Sequence, residues 1–90
     1  MSAKAEISWK RRTAEGERVE VYVQHVGGRW VFYSRAKRYD RWVHVTEPPL
    51  EDWLALLDAV RRLVPRRRLP PEEIDRVKQA ILTRYPEEEI

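Results

Sequence analysis

Residues 19–46, VEVYVQHVGGRWVFYSRAKRYDRWVHVT, decide the fold. Gly27-Gly28 sits between two runs of β-branched and aromatic residues. That is a two-residue hairpin signal, because a type I′ turn needs φ > 0 at both central positions. With Val26 and Arg29 flanking the turn, Gln24 faces Val31, Tyr22 faces Tyr33 and Glu20 faces Arg35. On the opposite face His25 meets Trp30, Val23 meets Phe32, Val21 meets Ser34 and Val19 meets Ala36. Strand side chains alternate with period two, so the two sets stay on separate faces. Val19, Val21, Val23, Trp30 and Phe32 form the expected core face. Glu20, Tyr22, Gln24, Val31, Tyr33 and Arg35 form a mixed outer face.

A further strand, 41–46, continues the meander after the loop Lys37-Arg38-Tyr39-Asp40. A four-residue loop pairs Ser34 with Val43 and Phe32 with Val45, which adds two valines to the core face. The same register puts Trp42 beside Arg35 and His44 beside Tyr33 on the outer face. Before the hairpin, residues 5–13 form a candidate first strand, joined to Val19 through Ala14-Glu15-Gly16-Glu17. A four-residue loop pairs Trp9 with Tyr22 and Arg11 with Glu20. A one-residue change in that loop turns Ile7 and Trp9 to the core side instead, and the sequence leaves both registers open. Lys10-Arg11-Arg12 reads either as a phosphate-contacting arm or as a sheet edge guarded by charge.

Pro48-Pro49 stops the sheet. Leu50, Trp53, Leu54, Leu57, Val60 and Val64 then recur at helical spacing, and Leu56 and Leu63 widen the stripe. Pro65 ends that helix. A second helix opens at Pro70-Pro71, buries Ile74, Val77, Ile81, Leu82 and Tyr85, and stops at Pro86. The expected fold is α+β and two-layered: a three- or four-stranded antiparallel meander followed by two antiparallel helices packed on one face. It occupies 5–86 as a single domain, between a disordered N-terminus, 1–4, and a frayed acidic tail, 87–90.

The chain has 90 residues, which suffices for one domain with one modest core. It has no cysteine, which excludes disulfides and thiolate metal sites. No apolar run suggests a secretory signal or a bilayer span, so a cytoplasmic protein without membrane contact is expected. The net charge is only +3, yet its sign is segregated. Arg29, Arg35, Lys37, Arg38 and Arg41 face a single acid, Asp40, within 29–41. Residues 61–68 carry Arg61, Arg62, Arg66, Arg67 and Arg68 and no acid. Acids in the first helical turns and arginines in the last ones complement the helix dipole, which accounts for much of the segregation.

Catalytic and metal chemistry find no foothold. His25 and His44 fall on opposite faces and cannot share a metal. Ser34 lies on the core face. Gly27-Gly28 joins two strands and opens no helix, so it is no phosphate loop. The expectation is a non-enzymatic protein without cofactor or metal.

What remains is basic and aromatic. Arg29, Arg35, Lys37, Arg38 and Arg41 interleave with Tyr33, Tyr39 and Trp42, and Tyr22 joins them across the hairpin. Cations beside stackable rings are what single-strand binding surfaces use. The expected function is a nucleic-acid-binding module, for DNA or RNA, contacting its ligand through Tyr22, Arg29, Tyr33, Arg35, Lys37, Arg38, Arg41 and Trp42. The arginines at 61–68 form a secondary basic corner. In topology the meander and helix resemble the arm-type DNA-binding domains of phage integrases and the plant AP2 domain, which present a sheet to the major groove. Gly28, Trp30 and Arg35 match the spacing of their GxWxxxxR strand, whereas Glu47-Pro48-Pro49 replaces their threonine–glutamate helix start. The likeness is one of topology and implies no shared function by itself. The alternative function is a protein-interaction or homodimerisation module that buries the same aromatic face.

Overall fold

The computed structural model describes residues 7–90; the expectations for residues 1–6 lie outside them. The chain divides into two compact units, a sheet up to Glu47 and a helical pair from Pro48. The order is β1 (Ile7–Arg12), β2 (Arg18–Val26), β3 (Arg29–Arg35), β4 (Val43–Val45), α1 (Leu50–Leu63) and α2 (Glu72–Arg84). A four-stranded antiparallel meander followed by two helices is the expected α+β class. Among the described residues, no helix is long and apolar enough to cross a membrane.

The β2–β3 hairpin has the expected register, with Tyr22 opposite Tyr33 and Val23 opposite Phe32. Gly27 and Gly28 adopt φ of 55° and 78°, the left-handed pair that a type I′ turn requires. The β1–β2 loop resolves the open register. Gly16 donates its N–H to Thr13 O at 2.9 Å, Thr13 donates to Glu17 O at 2.8 Å, and Gly16 has φ of 85°. This is a three-residue loop closed by a left-handed glycine. Trp9 therefore lies opposite Val21, and Ile7 opposite Val23. Both side chains join the core face, and Trp9 does not extend the outer aromatic row.

That core face is buried at Ile7, Val21, Val23 and Phe32. Its margins are not. Trp30 is only half-buried and stacks on His25 at 4.3 Å between ring centroids. Beside the turn, at the end of the hairpin, it has sheet neighbours on one side only. β4 pairs with β3 as expected, Ser34 with Val43 and Phe32 with Val45, but it is three residues long, not six. Val43 is 62% exposed, so only Val45 contributes to the apolar layer.

In the helical unit, α1 buries Trp53, Leu56, Leu57 and Val60, spaced i, i+3, i+4 and i+7. Leu54 is only half-buried, so the stripe centres on Leu56. α2 buries Val77 and Ile81. The helices run antiparallel: Arg84 at the end of α2 lies over the Trp53 ring near the start of α1, at 4.7 Å. Asp52 and Glu73, in the two first turns, are also buried. Acids are rarely buried, and there the helix dipole favours a carboxylate. Glu73 also pairs with Arg76 at 3.2 Å. Past α1, Arg68 N–H reaches Leu63 O and Arg67 N–H reaches Val64 O. With Arg67 at φ of 57°, this is a Schellman closure whose left-handed position is usually glycine.

Candidate functional site

The outer sheet face is built in rows by strand pairing. One row runs Ser8, Tyr22, Tyr33, His44, and the next runs Lys10, Glu20, Arg35. Tyr22 and Tyr33 lie 6.1 Å apart between ring centroids, and Tyr33 and His44 lie 5.6 Å apart. These spacings fall in the favourable range for tilted aromatic pairs. Gln24 donates to Tyr22 Oη at 3.0 Å and fixes that ring from the next row.

Trp42 departs from the expected strand. It lies outside β4 and folds over the face, with its ring 5.5 Å from Tyr22 and 4.2 Å from the Arg35 guanidinium. Arg35 also grips Glu20, with Nη2 at 3.3 Å and Nε at 3.4 Å from Oε1. The Arg35 and Glu20 side chains are 21% and 26% exposed. Arg35 is thus held between a carboxylate and an indole. It ties Trp42 to the sheet and is not a spare cation. The reason is local: strand pairing puts Glu20 directly opposite it.

The loop after β3 is the opposite case. Asp40 donates its N–H to Lys37 O at 2.9 Å and accepts the Lys37 N–H on Oδ2 at 3.2 Å. This double closure places Arg38 and Tyr39 at the two central positions of a tight turn. Tyr39 is 93% exposed and Trp42 is 37% exposed. Lys37, Arg38 and Arg41 are exposed and make no ion pair among the described residues.

The structure therefore gathers Tyr22, Tyr33, Arg35 and Trp42 on one face, with Lys37, Arg38 and Arg41 in the adjoining loop. Arg29 stands apart. It shares the outer face, but at the turn end of β3, six residues from Arg35 and so about 20 Å away along the strand. The secondary basic corner belongs to the helical unit. There Arg62 pairs with Asp58 at 3.2 Å, while Arg61, Arg66, Arg67 and Arg68 are exposed. Arg18 was not singled out from the sequence. It lies opposite Arg12, and the signal for that was the length of the Gly16 loop. No family model, curated protein or solved structure matches the chain.

Proposed function

We propose that this protein binds nucleic acid through the loop 37–42 and the adjoining outer sheet face, and that its preferred form is a single strand. The observation that carries the reading is Tyr39, a ring 93% exposed at the tip of a turn, between the cations Lys37, Arg38 and Arg41, which make no ion pair among the described residues. A base stacked on such a ring leaves its phosphates within reach of the flanking side chains. Trp42 offers a second, partly open ring. A duplex groove is a poorer match, because Trp42 lies over Arg35 and Arg35 is already bound to Glu20, so that end of the sheet face is occupied.

Fluorescence anisotropy with labelled oligothymidylate and oligouridylate at low salt tests the reading. Tyr39→Ala should weaken binding by roughly 1–3 kcal/mol and leave the fold intact. Absence of binding to either strand would refute the proposal. Trp42, exposed beside a three-residue edge strand, supports a second reading, a homodimer or protein-partner seam. Light scattering that shows a dimer in the wild type and a monomer in Trp42→Arg would favour it.

A further inference from the structure

A pocket of about 220 Å³ opens at the end of the sheet remote from the Gly27-Gly28 turn, lined by Lys10, Arg18, Val19, Glu20, Ala36 and Arg38. β1 supplies Lys10, β2 supplies Arg18 to Glu20, and the chain after β3 supplies Ala36 and Arg38. We propose that this pocket is a binding site for a phosphate monoester.

Charge comes first. Three cations against one carboxylate leave the walls with two positive charges in excess. The carboxylate, Glu20, is already held by Arg35 at 3.3 Å. Lys10, Arg18 and Arg38 make no ion pair among the described residues. Outside the lining, strand pairing sets a further cation, Arg12, directly opposite Arg18. Like charges directly opposite each other destabilise an antiparallel pair. Arg12 spends one N–H on Gly16 O at 3.0 Å, a neutral acceptor that leaves the repulsion standing. A bound anion would relieve it.

Size and valence then narrow the ligand. Pockets for drug-sized ligands run from roughly 300 to 1,000 Å³, so this one suits a phosphate group and its water better than a whole nucleotide. A phosphate monoester carries a charge of about −1.5 to −2 at neutral pH, which offsets more of the excess on the walls. A backbone phosphodiester carries only one. Arginine also suits phosphate geometry, since its fork donates two parallel hydrogen bonds. The site shares Arg38 with the proposed strand interface but does not depend on it. The monoester has two sources, the terminal phosphate of a strand lying on the loop or a free small phosphate compound.

Two measurements test the site. In the first, inorganic phosphate is titrated into the protein and amide chemical shifts at Lys10, Arg18 and Arg38 are followed by NMR. Saturable shifts are expected, with binding weakened about tenfold or more in Arg18→Gln, since a charge-assisted hydrogen bond is lost. Removing Arg18 also removes the repulsion with Arg12, so that variant should melt no lower than the wild type. Should it fail to fold, Arg38→Gln in the exposed loop gives the same reading. In the second, anisotropy compares oligothymidylate bearing a 5′-phosphate with the 5′-hydroxyl strand. Tighter binding of the phosphorylated strand, lost in Arg18→Gln, identifies the strand end as the source. Equal binding of the two strands beside saturable phosphate binding identifies a free monoester. Phosphate binding with no strand binding refutes the nucleic-acid reading and leaves the pocket standing. Phosphate that does not bind, or that binds Arg18→Gln as tightly as the wild type, overturns the proposal.

Discussion

The salt dependence of strand binding tests the site quantitatively, because the structure fixes which cations are spare. Sequence alone offers five: Arg29, Arg35, Lys37, Arg38 and Arg41. The structure removes two. Arg35 is bound to Glu20 and covered by Trp42, and Arg29 lies at the far end of β3. Each phosphate neutralised on a single strand contributes about 0.7 to the slope of log affinity against log salt. Three contacts give a slope near −2, and five give about −3.5. Raising salt from about 50 to about 200 mM should then weaken binding roughly twentyfold, where five contacts would weaken it more than a hundredfold. Arg41→Gln should flatten the slope by about 0.7. Tyr39→Ala should weaken binding with the slope unchanged, since stacking releases no counterions. The assay is anisotropy of a labelled oligonucleotide over a salt series. A wild-type slope near −3.5, or an Arg41→Gln slope equal to that of the wild type, would refute this assignment of the contacts.

Three further outcomes follow from the geometry. Phe32→Ala, at a side chain 2% exposed, should lose about 3–5 kcal/mol in urea unfolding, whereas Trp30→Ala should lose less because that ring is partly exposed. Glu20→Gln should lower stability by about 1 kcal/mol or less while releasing Arg35, so the salt slope should steepen by about 0.7; an unchanged slope would show that Trp42 alone keeps Arg35 from the ligand. Arg67→Gly, at the left-handed Schellman position, should leave stability unchanged or raise it by about 1 kcal/mol, and a clear loss in thermal melting would mean that the Arg67 side chain makes a contact worth more than its backbone strain.

Much of the sheet was legible because its signals are local. Gly27-Gly28 sets one turn type, that turn sets one register, and the register sorts every side chain of β2 and β3 to a face. The β1 register was ambiguous for the same reason. Gly16 can end a three-residue loop or sit inside a four-residue one, and only the Thr13–Glu17 pairing decides. That single residue moves Trp9 from one face to the other and brings Arg12 opposite Arg18. Burial at the margins was less legible. Trp30 and Val43 have the parity of the core face, but parity says which way a side chain points and not how much structure stands beyond it. The burial of Asp52 and Glu73 was hidden too, since a first-turn acid reads as solvated whenever the dipole alone explains it.

For the candidate site, counting basic residues misleads, because arginine has two uses here. Arg35 is consumed by the fold: it meets Glu20 across the hairpin and carries Trp42 on its other side, and without it that ring would have no charged partner holding it to the face. The sequence around Arg38 gives the same impression of charge beside rings, yet its turn is closed by Asp40 through backbone contacts, which leaves the neighbouring guanidinium groups unclaimed. Arg18 is a third case, a cation facing another cation beside a pocket whose lining carboxylate, Glu20, is already held by Arg35. A fold that leaves like charges opposed at a pocket forgoes stability there. The proposed phosphate site would account for that local sacrifice, and the loop cations for the salt response expected of the proposed strand binding. These two effects act on different residues, so Arg18→Gln and Arg41→Gln separate them.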